Sequence, residues 1–142
     1  MNERAHWAFW LIAILGLLWN VGGIANYMMQ MKPDFVAAMP DTHQAIINGR
    51  PTWATAGFAV GVFGGAIGCL LLLVKKPLAG LVFLISLVGI FVTMIHTALV
   101  VVDNDIFSVS DIIIMIIMPI IVANFLIGFT FYAAKKNWIA AG

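Results

Sequence analysis

Four long apolar stretches constrain this chain more than any other feature. They run over residues 7–29, 53–74, 77–102 and 112–134, and each reaches the roughly 20 residues that a helix needs to cross the hydrocarbon core of a bilayer. Inside that core every backbone N–H and C=O must be satisfied by the protein itself, which leaves helices and closed barrels as the spanning structures. The expected fold is therefore all-α: a single membrane domain over residues 1–142, built as a bundle of four transmembrane helices with antiparallel neighbours. Composition agrees, because 63% of the residues are hydrophobic and 9% charged, against about a quarter charged in soluble domains. The first stretch is too long for the apolar region of a signal peptide and no small-x-small cleavage site follows it, so a retained helix is expected.

The same composition excludes several function classes. A net charge of +1 with no basic stripe gives nucleic acid nothing to bind. Cys69, the single cysteine, has no disulfide partner in the chain, and no Cys/His spacing suggests a metal; no metal site and no cofactor is expected.

Orientation follows from the positive charges. With four spans, Arg4, Lys75, Lys76, Lys135 and Lys136 fall on one side, and only Lys32 and Arg50 on the other. Both termini are expected in the cytoplasm. Trp7, Trp10, Tyr132 and Trp138 would then mark the inner interface, and Tyr27, Trp53 and Phe107 the outer one. In "VKKPL" the two lysines end one helix and Pro77 opens the next, a tight hairpin. In "DNDIFSVSD" Ser110 is the expected N-cap, and Asp103, Asp105 and Asp111 form a solvated acidic turn. The longest connection, residues 32–52, contains Asp41 and Gln44 in capping-box spacing before Ala45–Ile47 and a stop at Asn48–Gly49. A short helix from Thr42 to Ile47 is expected there, lying on the interface or capping the bundle.

Lipid is as apolar as leucine, so membrane helices associate through small and polar residues. Gly57, Gly61, Gly64, Gly65 and Gly68 share one face of the second span, a close-packing surface. The first span carries Gly16, Asn20, Gly23 and Tyr27, the third Ser86, Gly89, Thr93, His96 and Thr97, and the fourth Asn124, Gly128 and Tyr132. All four stripes are expected to meet inside, with Pro119 kinking the fourth helix.

Asn20, Tyr27, Trp53, Thr93, His96 and Thr97 then fall in the same half of the bundle and form the candidate ligand-binding cluster. His96 is the one titratable proton carrier at depth, since no Asp, Glu, Lys or Arg lies in the apolar cores. That absence argues against proton-coupled pumping through an embedded carboxylate. Ser86 and His96 lie ten residues apart on one helix, about 15 Å, too far for a nucleophile–base pair, so no catalytic residue and no enzyme activity is expected. The simplest role for His96 is a neutral imidazole bonded to Asn20, Tyr27 or a backbone carbonyl.

The segments "LLWNVGGIANYMMQ" (Leu17–Gln30), "PTWATAGFAVGVFGGAIGCLLLL" (Pro51–Leu73) and "MIHTALV" (from Met94) resemble a group of small four-span bacterial inner-membrane proteins often labelled sugar transporters. The resemblance implies the four-span fold and a bacterial inner-membrane setting, with no catalytic motif to carry over. The Pro-Gln motif of three-span half-transporters is absent, since Ile120 follows Pro119. The function expected is a non-enzymatic accessory or helper subunit of a larger membrane complex, with lipid and other membrane subunits as partners. The alternative is a small-solute transporter or binding protein working as a homo-oligomer, with a sugar as the solute that the resemblance implies.

Overall fold

A computed structural model describes residues 4–140. Its elements are α1 (Trp7–Gln30), α2 (Pro33–Ala37), α3 (Asp41–Asn48), α4 (Thr52–Leu73), α5 (Leu78–Asp103), α6 (Val109–Ile112), a π-helical turn (Ile113–Ile117) and α7 (Met118–Lys135), with no strand among the described residues. Four helical segments are long and apolar enough to cross a membrane: α1, α4, α5 and the continuous run Val109–Lys135. The protein is an all-α, multi-pass membrane bundle. Its outward faces carry large exposed apolar side chains such as Leu15, Leu18, Ile67, Leu81 and Ile95, which suit lipid.

One end of the bundle, here the terminal end, holds the start of α1, the Lys75–Lys76 turn and the tail after α7. The other, the loop end, holds α2, α3 and the turn before α6. α1 packs on α4, α4 on α5, and α5 on α7.

The tightest seam is α4 on α5. Gly57 faces the Gly89 carbonyl and Val92, Gly61 faces Ile90, Gly64 faces Ser86 and Gly68 faces Phe83, so bare backbone lets the two helices approach closely. Gly65, from the same stripe, turns instead to α1, where a Cβ would overlap the Asn20 carboxamide. Ser86 Oγ bridges the seam, donating to the Gly61 carbonyl at 2.6 Å.

The terminal end is closed by a cluster from every long helix: Phe9 and Ala13, Cys69 and Leu72, Ala79 and Phe83, Leu126 and Ala133, with Ile139 from the tail. Two left-handed residues make this closure. Lys75 (φ 58°) and Asn137 (φ 55°) each follow a helix end. The next N–H in each case reaches back five residues, Lys76 to Leu71 and Trp138 to Ala133, both at 2.9 Å, as in a Schellman motif. The second turn folds Trp138 onto Phe9 and Tyr132, with ring centroids 6.2 and 5.6 Å away.

Three local expectations are corrected. Asp41 and Gln44 do not form a capping box: Pro40 occupies the N-cap position without a side-chain bond, and Gln44 Nε2 donates backward to the Met39 carbonyl at 2.7 Å. The fourth span is capped by Ser108, not Ser110. Ser108 Oγ accepts from the Asp111 N–H and Asp111 Oδ2 accepts from the Ser108 N–H, which starts the helix at Val109. The cap lies two residues earlier because it is Asp111, at N3, that closes the reciprocal box.

The third correction concerns the fourth stripe. Asn124, Gly128 and Tyr132 are exposed on the outside of α7, and Ala123, Leu126, Thr130 and Ala133 face inward. Leu126 fits against Gly16 of α1, so these residues supply the close approach on this helix. Asn124 tolerates the outside because Nδ2 donates to its own helix, at the Ile120 carbonyl, 2.8 Å. Pro119 does disturb the helix, through the π-helical turn immediately before it. Proline lacks an N–H and its ring crowds the carbonyl four residues back, and a widened turn relieves both.

Candidate functional site: a cavity at the loop end

Above the closed end, α1 and the fourth span diverge. They meet at the level of Phe9 against Phe129, ring centroids 6.0 Å apart, and of Gly16 against Leu126. Farther along, a cavity of about 570 Å³ separates Leu18, Trp19 and Gly22 of α1 from Ile114, Met115 and Pro119. This volume lies within the range of roughly 300–1,000 Å³ found for small-molecule sites. Both rims are open: Leu18, Trp19 and Ile114 are exposed, and the position of a Cβ on Gly22 has nothing within 4 Å.

The lining changes character along its length. Deep in the bundle it is mostly apolar, with Leu18, Trp19, Ile90 and Pro119, relieved by Asn20 and Thr93, while Thr97, Ile114 and Met115 lie nearer the loop end. Toward the loop end come Asn26, Gln30, His43 and Arg50. Asn26 and Gln30 sit one turn apart at the end of α1, with Gln30 Nε2 donating to Asn26 Oδ1 at 3.2 Å. Gln30 Oε1 is buried without a partner, the one such side-chain atom among the described residues. Arg50 precedes Pro51, the cap residue of α4. Its Nε donates to Thr55 Oγ1 at 3.3 Å and its guanidinium lies 5.3 Å from the centre of the Phe58 ring. Burial lowers the Arg50 pKa from its ordinary value, and the nearby Tyr27 works weakly in the other direction. The lining contains no Asp or Glu.

α3 roofs this cavity through Ile46 and Ile47, and His96 holds it there. The imidazole is 8% exposed, and Nε2 lies 3.1 Å from the Ile46 carbonyl. A carbonyl only accepts, so Nε2 carries the proton in this bond. The carbonyl is free to receive it because Arg50 N–H, which a continuing helix would direct at Ile46, goes to Ile47 instead. Trp53 packs edge-on against the imidazole, centroids 6.2 Å apart and planes at 89°.

The six residues expected to cluster thus fall into three places. Asn20, Thr93 and Thr97 line the cavity. His96 and Trp53 stand beside it, positioning its roof. Tyr27 points to α4, packing edge-on against Phe58 and Phe63. Asn20 does not reach His96: its Nδ2 donates to the Gly16 carbonyl at 2.8 Å and lies 3.9 Å from Cys69 Sγ. Asn26, Gln30, His43 and Arg50 were not among the sequence candidates. The spacing Asn20–Gly23–Asn26–Gln30 continues the polar face of α1 by steps of three and four, and that signal points to two of them.

Compared with family models, with curated proteins and with solved structures, the chain gives no match.

Proposed function

We propose that this protein binds one small amphiphilic molecule in the loop-end cavity, received sideways from the bilayer between α1 and the fourth span. The observation that carries the reading is the graded lining: apolar where it opens to the lipid-facing rims, polar under α3. It departs from the alternative read from the sequence, a small-solute transporter or binding protein working as a homo-oligomer, in taking an amphiphile as the ligand. The positive charges at the terminal end support cytoplasmic termini, which puts the cavity in the outer half of the membrane. The resemblance in Leu17–Gln30, Pro51–Leu73 and the segment from Met94 supports a bacterial inner membrane.

Gly22→Phe tests it. A Cβ at this position meets nothing within 4 Å, so the new side chain starts in open space beside the mouth of the cavity. Purified in mild detergent and incubated with monoolein, the wild-type protein should retain one equivalent by native mass spectrometry, and the variant none. Equal retention by both would place the lipid in the general annulus and sink the reading.

A second reading, the accessory subunit, draws on α7. Asn124 lies near the middle of the fourth span and faces outward with Gly128 one turn away, and a polar carboxamide beside a glycine suits a neighbouring helix better than lipid. That reading expects unrelated chains to copurify in constant ratio with the wild type and to be lost from Asn124→Leu.

A further inference from the structure

The cavity holds a feature that a neutral amphiphile does not use. Arg50 is the only Lys, Arg, Asp or Glu in its lining, and it is half-buried with no carboxylate beside it. Thr55 occupies Nε and Phe58 covers one face of the guanidinium, which leaves the two Nη groups with no protein partner among the described residues. A guanidinium presenting two parallel donors is the protein group best matched to a phosphate or carboxylate. Removing a cation from water without a counter-charge is costly, and an anion arriving in the cavity would offset that cost. Gln30 Oε1, the buried acceptor without a donor, and the nearby Asn26 suit a hydroxyl or ester-bearing linker next to such an anion. Lys32, the other cation of the loop end, is exposed and outside the lining, so the charge that a ligand meets inside is Arg50.

We propose that the ligand is a single-chain anionic amphiphile, with its phosphate or carboxylate at Arg50 under α3 and its chain running down past Met94 and Ile90 to the open rim at Leu18 and Trp19. The inference rests on the cavity reading and narrows it to a ligand class. The direction of the chain follows from the lining. Its head lies at the end of α1 and the start of α4, where a membrane-spanning helix meets the interface, and its tail lies where the walls are apolar.

Three probes separate the parts of the claim: 1-oleoyl-lysophosphatidate, monoolein, which has the same chain and glycerol without the phosphate, and glycerol 3-phosphate, the head without the chain. Binding is measured by native mass spectrometry and by competition on the full-length protein in mild detergent. The wild type should take lysophosphatidate about tenfold more tightly than monoolein, the scale of one charged hydrogen-bonded contact, and should not retain glycerol 3-phosphate. Arg50→Gln should erase that tenfold preference, read as the ratio of the two affinities on the same variant. Arg50→Lys should keep part of it, and Lys32→Gln all of it. Equal wild-type affinity for lysophosphatidate and monoolein would overturn the anionic head while leaving the cavity reading intact. Binding of glycerol 3-phosphate as tight as lysophosphatidate would overturn the chain. Loss of preference in Lys32→Gln would move the charge out of the cavity. Failure of the wild type to retain either lipid, or retention unaffected by Gly22→Phe, would remove the cavity reading itself. The wild-type comparison needs no variant, so it stands even if Arg50→Gln fails to fold.

Discussion

The four-helix bundle is packed shut at one end and, at the other, opens between α1 and the fourth span while α4 and α5 stay together. At the terminal end Phe9, Cys69, Leu72 and Ala133 are sealed from solvent and lipid, and the tail folds back to add Ile139. At the loop end α1 and the fourth span stand away from each other around about 570 Å³. The difference lies in what fills the gap between them. Leu126 fits Gly16, a large side chain against a bare backbone. One to two turns farther on, Gly22 meets nothing, and the π-helical turn before Pro119 re-aims the facing wall. In a membrane, where apolar surface has no reason to hide from lipid, helices close only where shape lets them. An opening at one end is therefore a property of particular residues, not of general looseness.

The closed seam should be the most sensitive place in the molecule. At Gly57 a Cβ would meet the Gly89 carbonyl, backbone that cannot swing aside. Gly57→Leu should cost about 3 kcal/mol or more, the upper range of overpacking, and prevent a native melt in detergent. A variant that melts like the wild type would mean that α4 and α5 do not pack closely there.

The roof is the next test. His96→Ala removes the donor to Ile46 and leaves its carbonyl unpaired, a loss of about 1–2 kcal/mol. The loss should be local, because His96 holds α3 and not the α4–α5 seam. Amide exchange over residues 41–48 should accelerate while exchange in α4 and α5 stays as it was. A uniform increase across the bundle would instead make His96 a part of the seam.

These two regions were not equally legible in the sequence. The spans and the glycine seam could be read because length, apolarity and a stripe of Gly at steps of three and four each have one physical meaning in a bilayer. The fourth stripe misled because small and polar residues serve either face of a helix. Ala123, Thr130 and Ala133 are also small, and only the fit of Leu126 to Gly16 decides which face turns in. His96 was legible as a residue in need of a partner. Its partner was not, because Ile46 lies fifty residues away in a connection whose fold depends on α3 sinking onto α5. Arg50 reads from sequence as a loop charge. Its place in the lining emerges only when α1 and the fourth span are seen to part.

Within the seam itself, Ser86→Ala offers a finer measurement. It deletes one buried hydrogen bond across α4 and α5 and leaves the carbonyl of Gly61 to its own helix. Interhelical bonds of this kind are worth about 0.6 kcal/mol on average in membranes, so the melting temperature should fall slightly and the fold should persist. A loss as large as that of Gly57→Leu would shift the weight of the seam from shape to polarity.

At the open end the corresponding change should do almost nothing to stability. Gly22→Phe adds a large ring where the bundle has free space, so its effect should stay within about 0.5 kcal/mol, as for substitutions that disturb no packed neighbour. Replacing a helical glycine also removes backbone freedom from the unfolded chain, worth about 0.5 kcal/mol for a phenylalanine in the stabilising direction, which sets the sign of any small change. Comparison of its melt with that of Gly57→Leu, both glycine to a large apolar side chain in a membrane-spanning helix, weighs open against filled space in front of the Cβ. If Gly22→Phe unfolds the protein as Gly57→Leu does, α1 and the fourth span are closed in the membrane and the cavity is not there to be filled. If it leaves the melt intact, the opening between α1 and the fourth span is a built feature, and the same variant then becomes the plugged control for every ligand measurement.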